Sequence, residues 1–151
     1  MTSGQQPDAT RPAGAGDGVV PGPLRVLVAD DFEPVRMLAV RMLQKLGHDD
    51  VEEAEDGQQA VDALAARHFD LLFLDLSMPR MSGQDVVRWL LAHPDRAQGL
   101  TIVVISASAH AERPVLNELG VTHVLPKPFR SQEISDVIDA IYGVGETPGG
   151  S

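Results

Sequence analysis

Charged and hydroxyl side chains stand at the ends of four short apolar runs in this chain. The run Arg25 to Ala29 is followed by Asp30 and Asp31, Leu71 to Leu74 by Asp75, Thr101 to Ile105 by Ser106, and Val121 to Leu125 runs into Lys127 and Pro128. If these runs are parallel strands of one open sheet, all five side chains reach the same rim, because such sheets bind ligands outside the carboxyl ends of their strands. Carboxylates gathered there repel: two unit charges about 4 Å apart cost about 4 kcal/mol at an effective dielectric near 20. A shared cation removes that cost. The chain has no cysteine and none of its five histidines has ligand spacing, so the donors are oxygens and the ion is a hard one. A few carboxylates that leave room for water and phosphate oxygens is the way Mg²⁺ is usually held. Lys127 is a compact charge suited to a phosphate oxygen or to an ion pair with Asp75. Ser106 offers a hydroxyl that could follow a phosphate when it arrives. A carboxylate nucleophile, a metal and a cationic clamp are together the parts of phosphoryl transfer.

Such a rim needs a parallel sheet beneath it. Strands are expected at Arg25 to Ala29, Asp50 to Ala54, Leu71 to Leu74, Thr101 to Ile105 and Val121 to Leu125. They alternate with segments of helical period, the pattern of a sheet covered on both faces. In the first helix Val35, Leu38, Ala39, Met42 and Leu46 share one face, with Pro34 in the first turn and Gly47 at the stop. The second helix is placed at about Gln58 to His68 with Ala60, Val61, Leu64 and Ala65 inward, and the third at Gln84 to His93 with Val86, Val87, Leu90 and Leu91 inward. Pro114 limits the fourth to a short element starting near that residue, within Ala111 to Leu119. The last runs from about Ser131 to Tyr142 with Ile134, Val137, Ile138 and Ile141 inward. The expected fold is therefore α/β, a doubly wound five-stranded parallel sheet with helices on both faces.

The chain has 151 residues, 43% apolar and 23% charged, which suits one soluble domain. A net charge of -10 opposes binding to nucleic acid and to anionic membranes. No apolar stretch approaches the roughly 20 residues of a membrane span, and the first residues lack a basic segment with an apolar signal core, so the expected location is cytoplasmic. Nine Gly and Pro residues lie between Gly4 and Pro23, and residues 143–151 have a similar composition. Segments of that kind bury too little to offset their ordering entropy. Disordered tails are expected at 1–23 and 143–151 around a domain at 24–142, with nothing after Tyr142 long enough for an output module.

The ordered set Asp30-Asp31, Asp75 followed by Met78-Pro79 and Gly83, Ser106-Ala107, and Lys127-Pro128-Phe129 resembles the receiver domain of two-component response regulators, in its stand-alone, chemotaxis-regulator form. The resemblance runs from Leu24 to Tyr142. It implies a flavodoxin-like sheet of strand order 2-1-3-4-5. It also implies that Asp75 accepts a phosphoryl group, in a Mg²⁺-dependent reaction, from a histidine kinase or a histidine phosphotransfer protein. Asp31, Asp75 and the backbone carbonyl of Ser77 would hold the metal, with Asp30 acting through water or as a further ligand. Ser106, Ala107 and Lys127 would meet the phosphoryl oxygens, and Met78, Pro79, Gly83 and Pro128 would shape the loops, with a cis peptide between Lys127 and Pro128. The protein would catalyse only its own phosphorylation and dephosphorylation. As a monomer or weak dimer it would present a switched face, built from the fourth helix, fifth strand and fifth helix, to a downstream protein. One departure stands out: the family often has Tyr or Phe three residues before the lysine, and here that position is Val124. Ser77 and Ser108 occupy the positions that flank the path of hydrolytic water in the family.

Singly, each residue has a plainer role available. An Asp-Asp pair caps helices, a Lys-Pro marks turns, and a strand-end serine bonds its own backbone. His48, His68, His93, His110 and His123 read as surface or loop residues, and Trp89 as packing on the third helix. Two other functions use the same residues: a phosphorelay intermediate, and a phosphorylation-independent docking module, which the absent ring at Val124 favours and the intact acidic residues and Lys127 disfavour. A metal-dependent phosphatase of the Asp-x-Asp type does not fit, since Leu76 and Ser77 follow Asp75.

Overall fold

The computed structural model of the chain describes residues 23–142; apart from Pro23, the tails expected at 1–23 and 143–151 lie outside the described residues. Five strands, β1 Arg25–Ala29, β2 Asp50–Ala54, β3 Leu71–Asp75, β4 Thr101–Ser106 and β5 His123–Pro126, pair in parallel throughout. Their order is β2-β1-β3-β4-β5, the doubly wound 2-1-3-4-5 arrangement. The helices are α1 Glu33–Lys45, α2 Gly57–Ala66, α3 Gly83–Ala92, α4 Ala109–Glu118 and α5 Ser131–Tyr142, with a single helical turn at Pro94–Ala97 between α3 and β4. None of the helices among the described residues is long and apolar enough to cross a membrane.

Side-chain alternation along the strands divides the core in two. Leu27, Ala29, Leu72, Leu74 and Val104 face α2, α3 and α4, while Val26, Val28, Leu71, Phe73, Val103 and Ile105 face α1 and α5. Central β3 is buried at every position, as a strand covered on both faces must be. The edge strand β2 is acidic instead, which discourages pairing with another chain. Its Asp50 is held by Arg67 at 2.8 Å and its Glu53 by Arg36 at 2.8 Å.

Caps and stops are local. Asp56 accepts the Gln59 N–H at the start of α2 and Ser82 accepts the Asp85 N–H at the start of α3. Gly47 takes φ +96° after α1, a left-handed stop that favours glycine.

The structure moves several expectations. Strand β5 begins at His123 instead of Val121, because Leu116 and Val121 join by a backbone hydrogen bond that ends the turn after α4. Helix α4 starts at Ala109 and contains Pro114, which is exposed and so accommodated on the outer face. On α1, Leu46 is 38% exposed and Leu43 is buried in its stead. On α2, Ala63 is buried and Ala65 exposed, and on α3 Leu91 is 60% exposed. On α1 and α2 the buried stripe is turned from the expected one, and on α3 it is narrower, since a helix lying on a sheet shows the sheet less than half its circumference.

Candidate functional site

Asp30 follows β1 and is fully buried. Its Oδ1 accepts the Phe32 N–H at 2.8 Å, a turn that sends the chain into α1. Its carbonyl oxygen accepts from Nη1 of Arg36 at 2.8 Å. Asp31 beside it is exposed. Asp75 ends β3, the neighbour of β1, and is 3% exposed. Parallel pairing of β1 with β3 thus brings the carboxylates together: one oxygen each from Asp30, Asp31 and Asp75 lies within 4.8 Å of the others. Lys127 arrives from the end of β5, its Nζ 3.1 Å from Oδ2 of Asp30 and 3.5 Å from Oδ1 of Asp75.

One ammonium faces three carboxylates, and the surplus is visible in the protonation of Asp75. Burial, then the Asp30 charge, pushes its carboxyl up to about 6, against the opposing pull of Lys127 and the Ser77 N–H. That N–H donates to Oδ1 of Asp75 at 3.3 Å. Oδ2 of Asp30 is buried and faces the Lys127 ammonium at 3.1 Å without an aligned hydrogen bond. An oxygen-only donor set of three carboxylates facing one ammonium carries excess negative charge and fits a hard divalent cation.

Ser106 ends β4 and is buried. Its Oγ accepts the Ser108 N–H at 2.9 Å, and its carbonyl accepts the Lys127 N–H at 3.0 Å. The Lys127-Pro128 peptide is cis. Asp31, Asp75, Ser77, Ser106, Ala107 and Lys127 line one open cleft of about 650 Å³. With Asp30 joined to them through Lys127 and the carboxylate cluster, the five side chains expected at one rim of the sheet are brought together there.

A family model described as the response regulator receiver domain matches residues 26–139. The chain belongs to that family. The receiver is 31% identical over 120 residues to the chemotaxis protein CheY of Pseudomonas aeruginosa, covering 79% of this chain and 96% of that protein. Among solved structures, the chemotaxis response regulator CheY4 of Vibrio cholerae superposes with a TM-score of 0.70 at 25% identity, covering 77% of this chain and 96% of that one. The response regulator TrrA of Thermotoga maritima, solved with Mg²⁺ and a beryllium fluoride, gives a TM-score of 0.66 at 26% identity, covering 78% and 97%. Two-component signalling by a CheY-like fold is the common ground of these matches.

Around the receiver's site the loop after β3 is packed without slack. The Gly83 N–H donates to the Leu76 carbonyl at 3.0 Å, and a methyl group on Gly83 would strike the Asp75 carbonyl. Glycine is required there by contact, its φ being ordinary. Gly57 is similarly pressed on the Met81 carbonyl. Arg80 takes φ +66° and its Nε reaches Oδ2 of buried Asp56 at 2.8 Å, fastening the loop to the start of α2. The Gln59 N–H, more than Arg80, holds the Asp56 carboxyl below its usual range. Arg36, Asp56, Gly57 and Arg80 were not legible as site residues. An arginine in the apolar stripe of α1 was a signal for the first, and an Asp before a helix for the second; tertiary contact alone gives the other two.

Proposed function

We propose that this receiver is a phosphorylatable switch whose acceptor is Asp75, charged by a histidine kinase or a histidine phosphotransfer protein. The observation that carries the reading is the meeting of the Asp30, Asp31 and Asp75 carboxylates with the Lys127 ammonium at one rim of the sheet. Asp30, Asp31 and Asp75, with the Ser77 carbonyl, would hold Mg²⁺, which when bound supplies positive charge against the phosphoryl oxygens and the donor oxygen set.

In the transfer a carboxylate oxygen of Asp75 attacks phosphorus. A P–O bond to Asp75 forms as the P–N bond to the donor histidine breaks, and the imidazole leaves carrying the bond's electron pair and takes up a proton. Burial and the crowd of acids raise the free energy of the Asp75 carboxylate, and Lys127 would share with a bound cation the work of offsetting that charge and the charge of the transferred group. The Lys127 ammonium is 3.5 Å from Asp75, and the Lys127 backbone is anchored by its N–H bond to the Ser106 carbonyl. Ser106 Oγ, now bonded to the Ser108 N–H, is placed to turn toward a phosphoryl oxygen and release the backbone after β4. Val124 offers no ring to follow it.

Phe32 is 57% exposed directly after Asp31 and forms an apolar groove with Val35, Leu38 and Pro128. This is ground on which a donor protein would dock beside the acceptor. The downstream protein would read α4, β5 and α5 from the cytoplasm. The deciding experiment is labelling with acetyl phosphate and Mg²⁺: wild type incorporates phosphate and Asp75→Asn does not. Stable, equal labelling of Asp75→Asn would remove the acceptor assignment.

A further inference from the structure

A closed ring of hydrogen bonds surrounds the mouth of the cleft. Oγ of Ser106 accepts the Ser108 N–H at 2.9 Å, and the Ser108 carbonyl accepts the Glu112 N–H at 3.0 Å. Oε1 of Glu112 accepts from Nε2 of Gln84 at 2.8 Å. Gln84 adjoins Gly83, whose N–H bonds the Leu76 carbonyl, and the Leu76 N–H returns to the Ile105 carbonyl at 3.3 Å, next to Ser106. Within this ring the contact between α3 and α4 is made by two side chains, Gln84 and Glu112, and both line the cleft that contains Asp75.

Helix α4 has little else to hold its first turns. Of its described side chains only Leu116 is fully buried. No side chain caps its start, and Pro114 withholds an N–H from its interior. A helix with one buried anchor and an interrupted ladder stands at the low end of local stability.

We propose that the Gln84–Glu112 contact is an electrostatic latch that holds α4 in its resting position and is released by the charge of a phosphoryl group on Asp75. The proposal rests on the acceptor reading above. A phosphoryl group of about -1.5 to -2 charges replaces the single charge of the Asp75 carboxylate, so the cleft that Glu112 lines gains up to about one negative charge, and like charges in a partly buried cleft are weakly screened. The same group draws the Ser106 hydroxyl, so Ser108 loses its partner. Both tethers of the first turn of α4, at Ser106 and at Gln84, therefore weaken together. This gives the chain a route from Asp75 to the α4 surface that needs no aromatic ring at Val124.

The test is amide hydrogen exchange along α4 in the full chain, with and without Mg²⁺ and beryllofluoride, and with the amides of α1 as reference. Wild type is expected to exchange roughly tenfold faster in α4 with beryllofluoride, the scale of losing one charge-assisted hydrogen bond. Gln84→Ala, which cuts the latch and leaves the Ser106 tether, is expected to exchange faster than wild type without any ligand, by up to that factor. Glu112→Gln, which keeps an acceptor for Gln84 and drops the charge, is expected to exchange slowly without ligand and to respond to beryllofluoride less than wild type, since only the Ser106 tether is then released. The latch is overturned if α4 of Gln84→Ala exchanges as slowly as that of wild type, or if Glu112→Gln responds to beryllofluoride as fully as wild type. Acetyl phosphate labelling of wild type is read in parallel. Its absence would remove the acceptor reading, while the Gln84→Ala comparison, which uses no phosphoryl group, would still judge the contact.

Discussion

Arg36 donates from Nη1 to the carbonyl oxygen of Asp30 at 2.8 Å, while its Nε holds Glu53 on β2 at 2.8 Å. The residue thus binds the turn that carries Asp30 and Asp31 to the edge strand, from a side chain only 9% exposed. Arg36→Met keeps most of the packing and leaves that carbonyl unbonded. It is expected to lower stability by about 1–3 kcal/mol, the cost of a buried unsatisfied group, and to weaken Mg²⁺ binding as well. Urea unfolding with an unchanged slope, and titration with Mg²⁺, check the two parts.

Gly83 makes a sharper prediction. Its missing Cβ is the space taken by the Asp75 carbonyl, a backbone atom that cannot swing aside. Gly83→Ala is expected to destabilise by about 1–3 kcal/mol through overpacking, and to reduce acetyl phosphate labelling by shifting Asp75. A variant of wild-type stability and labelling would show that the loop yields freely.

The strand ends were legible because β1, β3 and β4 are apolar runs stopped by Asp or Ser, and buried parallel strands tolerate nothing else. Hence Asp30, Asp31, Asp75 and Ser106 read as a set, with Lys127 following the last apolar run. The buried faces of the helices were read less well. Leu46, Ala65 and Leu91 belong to the apolar pattern yet face solvent, since periodicity locates a stripe and only the neighbouring element decides its centre. The sequence places helix α4 too late because Pro114 reads as a start signal, whereas an exposed proline can also sit within a helix. The Asp56–Arg80 and Gln84–Glu112 contacts join residues 24 and 28 positions apart. No local pattern encodes such pairs.

Charge crowding at the site predicts opposite effects of one substitution. In a chelator, Asp75→Asn removes one of three mutually repelling carboxylates and is expected to melt at a higher temperature than wild type. With Mg²⁺ the order should narrow or invert. Wild type gains about 2.7 kcal/mol at a metal concentration one hundred times its dissociation constant, and Asp75→Asn, short of one ligand, gains less. Asp31→Asn should lose the metal response too. Thermal melts of the three proteins with chelator and with MgCl₂ are the check, and a Mg²⁺ response in Asp31→Asn equal to wild type would take Asp31 out of the ligand set.

Acid sensitivity should arise at the opposite end of the sheet, from a histidine that reads as a loop residue in the sequence. His48 is 5% exposed and its Nδ1 accepts the Leu24 N–H at 3.0 Å. An acceptor nitrogen must be unprotonated, and burial, against the weaker pull of Asp49, lowers the pKa of this imidazole below 6.5. The folded state therefore binds the proton less readily than the unfolded state. Above the unfolded value of about 6.5 both states are neutral and His48 adds no slope. Below it the unfolded chain takes up a proton that the folded chain refuses, so stability falls with pH until the folded-state value is reached, and is level beyond that. Asp75, raised to about 6, contributes a slope of the opposite sign in the metal-free protein, so wild type alone does not isolate the effect. The difference between wild type and His48→Leu does. The variant is less stable at pH 7.5, because the Leu24 N–H loses its partner, and that deficit is expected to shrink as pH is lowered from 7.5 to 5. A deficit that stays constant across this range would mean that the His48 imidazole titrates alike in the folded and unfolded chains.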